Sequence, residues 1–255
     1  MQQQVWLGGL AALATAAMLW VTPAAAVPVS GQGTWETTLL GRDINGNAVA
    51  GSDASAVFLY DTILNITWLR DANRVGPMEW GNAVDEAMYL NVGGYTGWRL
   101  PTMVDTGTVG CNFSFSGGTD CGYNAQTRSG ATVYSEMAIL FFEELGNKSY
   151  CPPVVLCLGG GQPGWGLTNT GDFQNMQSEH YWSGLEYAPD PGRRAWFFYN
   201  GDGSQNRDSK DEALYALFVR PGDVLAAGTV PEPQGVALML TALAGLVVVR
   251  RRRLR

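Results

Sequence analysis

The run Asn200-Gly201-Asp202-Gly203-Ser204-Gln205-Asn206-Arg207-Asp208 is rich in carboxylate and carbonyl oxygens, the hard ligands that Ca²⁺ takes. It lacks the order and closing Glu of an EF-hand, and Arg207 adds positive charge, so a hairpin turn competes with a calcium loop. A second set is aromatic: Trp165, Trp182, Tyr187, Trp196 and Tyr199, with Asn200 beside them. Aromatic faces next to polar side chains can bind a sugar ring without metal. Several of these rings must instead fill a core, and Trp165, in the loop GGGQPGWG, is the one expected at the surface. Catalytic chemistry finds little to use. His180 is the single histidine, and Glu143-Glu144 and Asp211-Glu212 are sequence neighbours that point apart on a helix, as solvated charges do.

Cys111, Cys121, Cys151 and Cys157 have spacings unlike zinc knuckles. An even count in an oxidising compartment predicts disulfides. Three connectivities exist, of which Cys111–Cys121 with Cys151–Cys157 is the simplest because each closes a short loop. No metal site and no catalytic residue are expected from this inventory.

The elements that must position these residues can be read along the chain. Ser55 to Tyr60 and Leu64 to Leu69 read as a hairpin around Asp61-Thr62. Residues 79–90 place Trp80, Ala83, Val84, Ala87 and Leu90 on one helical face, stopped by Gly93-Gly94. Residues 133–145 predict a second helix, with Thr132 as N-cap and Gly146 after its end. His180 to Leu185, Arg194 to Tyr199 and Ala213 to Val219 predict three late strands. Long cysteine-bearing loops span 101–131 and 147–178. The pattern is α+β, with first and last strands meeting in a small, mostly antiparallel sheet.

The ends set the expected location. Residues 1–26 have an apolar stretch and Ala24-Ala25-Ala26, the pattern of a signal peptide, although no Lys or Arg precedes that stretch. Residues 235–249 are uncharged and would span about 22 Å as a helix, a short membrane segment. Residues 250–255 follow as an arginine tail expected to stay cytoplasmic. Without Glu232 and the five tail arginines the body carries 22 acidic and 11 basic residues, which excludes nucleic-acid phosphates as a partner.

Two resemblances add to this reading. Pro231-Glu232-Pro233, the apolar run and Arg250, Arg251, Arg252 and Arg253 resemble a PEP-CTERM sorting signal. That resemblance implies recognition by exosortase at the inner membrane, processing of the tail, and delivery to a cell surface or biofilm matrix. In the body, Thr67-Trp68-Leu69, Gly97-Trp98-Arg99-Leu100-Pro101-Thr102, Tyr181-Trp182-Ser183 and Val219-Arg220-Pro221-Gly222 resemble the DUF1566, or Lcl C-terminal, family over about 55–222. The resemblance implies a C-type lectin-like fold that in some members binds glycans, and it supplies no catalytic set. The Glu-Pro-Asn triplet of calcium-dependent sugar sites is absent. Trp98, Arg99, Leu100, Pro101, Trp182, Ser183 and Arg220 read as structural motif residues. Alternation turns Trp98 and Leu100 to one core and leaves Arg99 needing a carboxylate or carbonyl partner.

The resulting organisation is a signal peptide (1–26), a lead-in (27–54), a domain (55–222), a linker with Pro-Glu-Pro (223–234), a membrane segment (235–249) and the tail (250–255). The expected function is that of an exported, non-enzymatic protein binding extracellular polysaccharide or another matrix component. A protein-interaction module of the envelope is the alternative, and an envelope-modifying enzyme a third reading.

Overall fold

The computed structural model of the protein describes residues 27–107, 111, 120–153, 157 and 160–225. The expected signal peptide, Pro-Glu-Pro motif, membrane segment and arginine tail lie outside these residues. Among the described residues no helix is long and apolar enough to cross a membrane.

A short helix α1 (Trp35–Thr38) leads into β1 (Leu39–Asp43), β2 (Ala56–Asp61) and β3 (Ile66–Leu69). The β2–β3 hairpin forms as the sequence predicts. Asp61 closes its turn by accepting from the backbone N–H of Ile63 and Leu64 at 2.9 and 2.8 Å, and Asn65 supplies a left-handed residue at φ 53°. Helix α2 (Trp80–Tyr89) follows, with Ala83 and Ala87 buried. The ribbon strands β4 (Gly122–Tyr123), β5 (Arg128–Ser129) and β6 (Thr132–Val133) precede helix α3 (Glu136–Ala138). The chain ends in β7 (His180–Glu186), β8 (Arg194–Tyr199), β9 (Ser204–Ser209) and β10 (Val219–Pro221).

Among the described residues the strands form two antiparallel four-stranded sheets, ordered β1-β2-β3-β10 and β4-β9-β8-β7, and a two-stranded ribbon β5-β6, rather than one small sheet. As expected, the last strand meets the first hairpin: Val219 pairs with Trp68. Both sheets feed the same two cores. Alternation sends Leu59, Trp68, Tyr181, Phe198 and Val219 to one, and Phe58, Leu69, Trp182, Phe197 and Phe218 to the other. Both sheet faces are therefore buried, which is why these strands read as almost continuous apolar runs.

Three expectations need correction. The second helix is not α-helical over 133–145. Ser135, not Thr132, is its N-cap, accepting from Ala138 N–H at 3.1 Å, and after α3 the chain widens into a π-helical stretch, Ile139–Glu144. The extra residue per turn carries Glu144 inward while Glu143 stays out and pairs with Arg128. The reading of both glutamates as solvated is thus wrong for Glu144, which is fully buried beside Asp61. Of Ala213 to Val219 only Val219 lies in a strand. Leu214 and Tyr215 make single bridges to Met78 and to Tyr181, so the segment crosses between partners instead of holding one register. The oxygen-rich run does make the expected hairpin turn: residues 200–203 turn between β8 and β9, and the rest of the run continues as β9, paired with both β8 and β4.

Candidate functional site

The β8–β9 turn is built around Tyr199 and the two glycines that follow. Gly203, at φ 67°, donates its N–H to the Tyr199 carbonyl at 2.9 Å. The Tyr199 ring folds back over Gly201, where a Cβ would displace it. On its other face Tyr199 stacks on His180, with centroids 4.0 Å apart and planes 5° off parallel. Glu179 adds a carboxylate 3.5 Å from the His180 Nδ1, and its carbonyl accepts from Asn200 N–H.

The loop after the π-helical stretch is clamped against this turn. Tyr150 N–H donates to the Asp202 carbonyl at 2.7 Å, and Ser149 Oγ donates to the carbonyls of Asp202 and Gly203. Gln162 ties the loop to itself through Ser149 and Tyr150 carbonyls, and Gly166 N–H reaches the Lys148 carbonyl at 2.8 Å. The Cys151–Cys157 disulfide and the Asn124 side chain, bonded to the Cys151 carbonyl, fix the far end. Strand β4 then lays Tyr123 opposite Ser204.

These constraints assemble an aromatic row. Trp165 is 42% exposed and stands edge-on to Tyr150 at 4.9 Å, and Tyr150 lies 5.7 Å from Tyr123. Gly161 is needed for the Trp165 position, because a Cβ there would lie 2.6 Å from the indole Nε1. Asp202 and Tyr199 adjoin the row. Burial pushes the Asp202 carboxyl above the usual carboxylate range, offset in part by the Ser204 N–H and by His180. Burial, then the charge of Asp202, raises the Tyr123 hydroxyl; burial, then Glu179 and Asp202, raises that of Tyr199. Half-exposed rings bordered by carboxylates can stack a sugar face and accept its hydroxyl hydrogen bonds.

Of the residues picked from sequence, the fold brings Trp165 and Tyr199 together here. Asn200 is adjacent but buried, its amide spent on the Gln177 carbonyl. Three rings are not available for stacking. Trp182 lies wholly in the core with its indole N–H on the Met78 carbonyl. Trp196 and Tyr187 pack with Met103 and Cys121, and the Trp196 N–H bonds Asp105 at 2.7 Å. Their apolar area outweighs anything a sugar could offer them. Sequence reasoning missed Tyr123, Tyr150 and Glu179, which come from separate segments with no common spacing; nearness to Cys151 was the one clue for Tyr150.

The motif residues take structural places. Trp98 and Leu100 are in the core, and Trp98 stacks on Phe58. Arg99 finds the expected carboxylate, donating two 2.7 Å bonds to Glu136 and a third to the Leu100 carbonyl. The Pro101 carbonyl accepts from Gly184 N–H. Ser183 is buried and receives the Trp80 indole on its carbonyl, while Arg220 bonds the Thr96 carbonyl and lies over Tyr95. The cysteines pair in the simplest connectivity, Cys111–Cys121 and Cys151–Cys157. Among the described residues no group of three or more His, Cys, Asp or Glu side chains converges as a metal site. Arg207, near the end of the oxygen-rich run, points at Cys111 Sγ.

No curated protein matches the chain. Residues 58–220, which contain the whole aromatic row and both disulfides, match the Lcl C-terminal domain, and the chain belongs to that family.

Proposed function

We propose that this chain is an exported, non-enzymatic surface or matrix protein whose Lcl C-terminal domain, a C-type lectin-like module, binds extracellular polysaccharide. The observation that carries the reading is the exposed Trp165 ring, held edge-on to Tyr150 at the end of a disulfide-clamped loop beside Tyr199 and Asp202. A large ring kept in water needs a reason, and stacking on a sugar supplies one. The two disulfides agree with an oxidising compartment. Delivery rests on the sequence of the ends: the signal peptide exports the chain, and exosortase recognises the PEP-CTERM-like tail, which anchors it briefly before release to the surface or matrix. The non-enzymatic part rests on where the most strongly perturbed acid sits: Glu144 is fully buried beside Asp61.

The test is sedimentation of the full 255-residue chain, disulfides intact, with the host's own extracellular polysaccharide. Saturable binding is expected, weakened by Trp165→Ala by about 1 kcal/mol, roughly fivefold. It should be the same in calcium and in chelator, because the oxygen-rich run is committed to β9. Equal binding by Trp165→Ala would move the site elsewhere. A second reading, a protein-interaction module, is favoured by the outer face of α2. Met88 and Tyr89 are 60% and 80% exposed there, beside a pocket of about 380 Å³ lined by Val84, Trp98 and Leu100. A protein partner lost on Tyr89→Ser would support it.

A further inference from the structure

The charges around the aromatic row restrict which polysaccharide it can take, an inference that rests on the glycan reading above. Sulfated and uronic polymers are bound by arrays of free guanidinium and ammonium groups that replace their counterions. This domain has almost none to offer. Arg42, Arg99, Arg128, Arg194 and Lys210 are paired with Asp223, Glu136, Glu143, Asp190 and Glu186. Arg70 and Arg220 are turned onto backbone carbonyls, and Arg207 onto Cys111 and Asn206. Among the described residues that leaves Arg74, Lys148 and Arg193, on three separate loops, and of these Lys148 alone lies on a loop that builds the row.

The row itself is bordered by acids. Asp202 is half-buried at the turn that Tyr150 N–H grips, and Glu179 stands beside the His180–Tyr199 stack. His180 is the other group there able to carry positive charge, and its ring face is covered by Tyr199. Carboxylates beside a stacking surface, half-buried at Asp202 and exposed at Glu179, attract ammonium and repel carboxylate or sulfate. The whole body, with twice as many acidic as basic residues, reinforces that preference at longer range.

We propose that the Trp165–Tyr150–Tyr123 platform takes a polymer of amino sugars, with a ring face on Trp165 and free ammonium groups against Asp202 and Glu179.

The experiment titrates the full chain with three oligosaccharides of equal length: a glucosamine oligomer, its fully N-acetylated counterpart and an oligouronate, at mildly acid pH where the amines are charged. The glucosamine oligomer should bind about tenfold tighter than the acetylated one, and the advantage should shrink as salt is raised. Asp202→Asn, which keeps an acceptor for the Ser204 N–H, and Glu179→Gln should each weaken the glucosamine oligomer by about threefold more than the acetylated one. Trp165→Ala should weaken both. Equal affinity for the acetylated oligomer, or tightest binding of the uronate, overturns the charge preference while leaving glycan binding standing so long as Trp165→Ala still matters. Binding of none of the three, nor of the host polysaccharide, overturns both.

Discussion

At the scale of single residues, the least expected feature is the buried pair Asp61 and Glu144. Burial pushes the Asp61 carboxyl up, and hydrogen bonds from two backbone N–H groups and from the Trp68 indole at 3.0 Å offset this in part. An ionised Glu144 would find little support, because the Thr38 hydroxyl beside it already donates to the Thr34 carbonyl. Burial, then the nearby charge of Asp61, pushes the Glu144 carboxyl up to about 9, and as a neutral acid it can give its proton to Asp61. The folded state therefore holds a proton that the unfolded chain releases above its ordinary value near 4.5. This contribution is fully present below that value and is lost as pH rises towards about 9, by at most roughly 1.4 kcal/mol per pH unit. Glu144→Gln keeps a donor for Asp61 and removes the titration. Melting temperatures of parent and variant should lie close at the acid end of this window and diverge as pH rises, the parent falling below the variant; parallel curves would show that Glu144 does not hold the proton. Arg99 is simpler. Arg99→Ala strands the buried Glu136 carboxylate on the Thr102 N–H alone and should cost about 2 kcal/mol in urea denaturation, with Arg99→Lys recovering only part.

Among the elements, the loop 147–166 decides whether the aromatic row exists. Its described residues have little regular structure and are held by hydrogen bonds to the β8–β9 turn and by the Cys151–Cys157 bridge. A loop held this way opens independently of the core. Replacing Cys151 and Cys157 with serine should speed amide exchange at Tyr150, Gln162 and Gly166, whose N–H groups bond Asp202, Tyr150 and Lys148, while leaving β2 and β3 protected. Affinity for polysaccharide should fall in parallel, because Trp165 would have to be ordered on binding. Unchanged exchange at these amides would mean that the hydrogen bonds alone hold the loop. The π-helical stretch is the other element that matters: without its extra residue, Glu144 would not face Asp61.

For the molecule as a whole, local chemistry and long-range assembly divide cleanly. Alternation and propensity alone determined the first hairpin, the α2 face, β7 and β8, because each depends on near neighbours. The Trp98-Arg99-Leu100 alternation likewise told which residues go inward and that Arg99 needs a carboxylate, though not that Glu136 would supply it. The apolar runs near both ends, the arginine tail and the acidic body were also plain in the sequence. Only the tertiary structure decided the rest. It split one expected sheet into two that share both cores, turned a polar run into β9 because strands wait on either side, and buried Trp182, Trp196 and Tyr187 while leaving Trp165 in water. An aromatic side chain has the same sequence signature in a core and on a binding face, since both exploit one apolar surface. Which it becomes depends on what packs against it from residues far away along the chain, and only the fold fixes that.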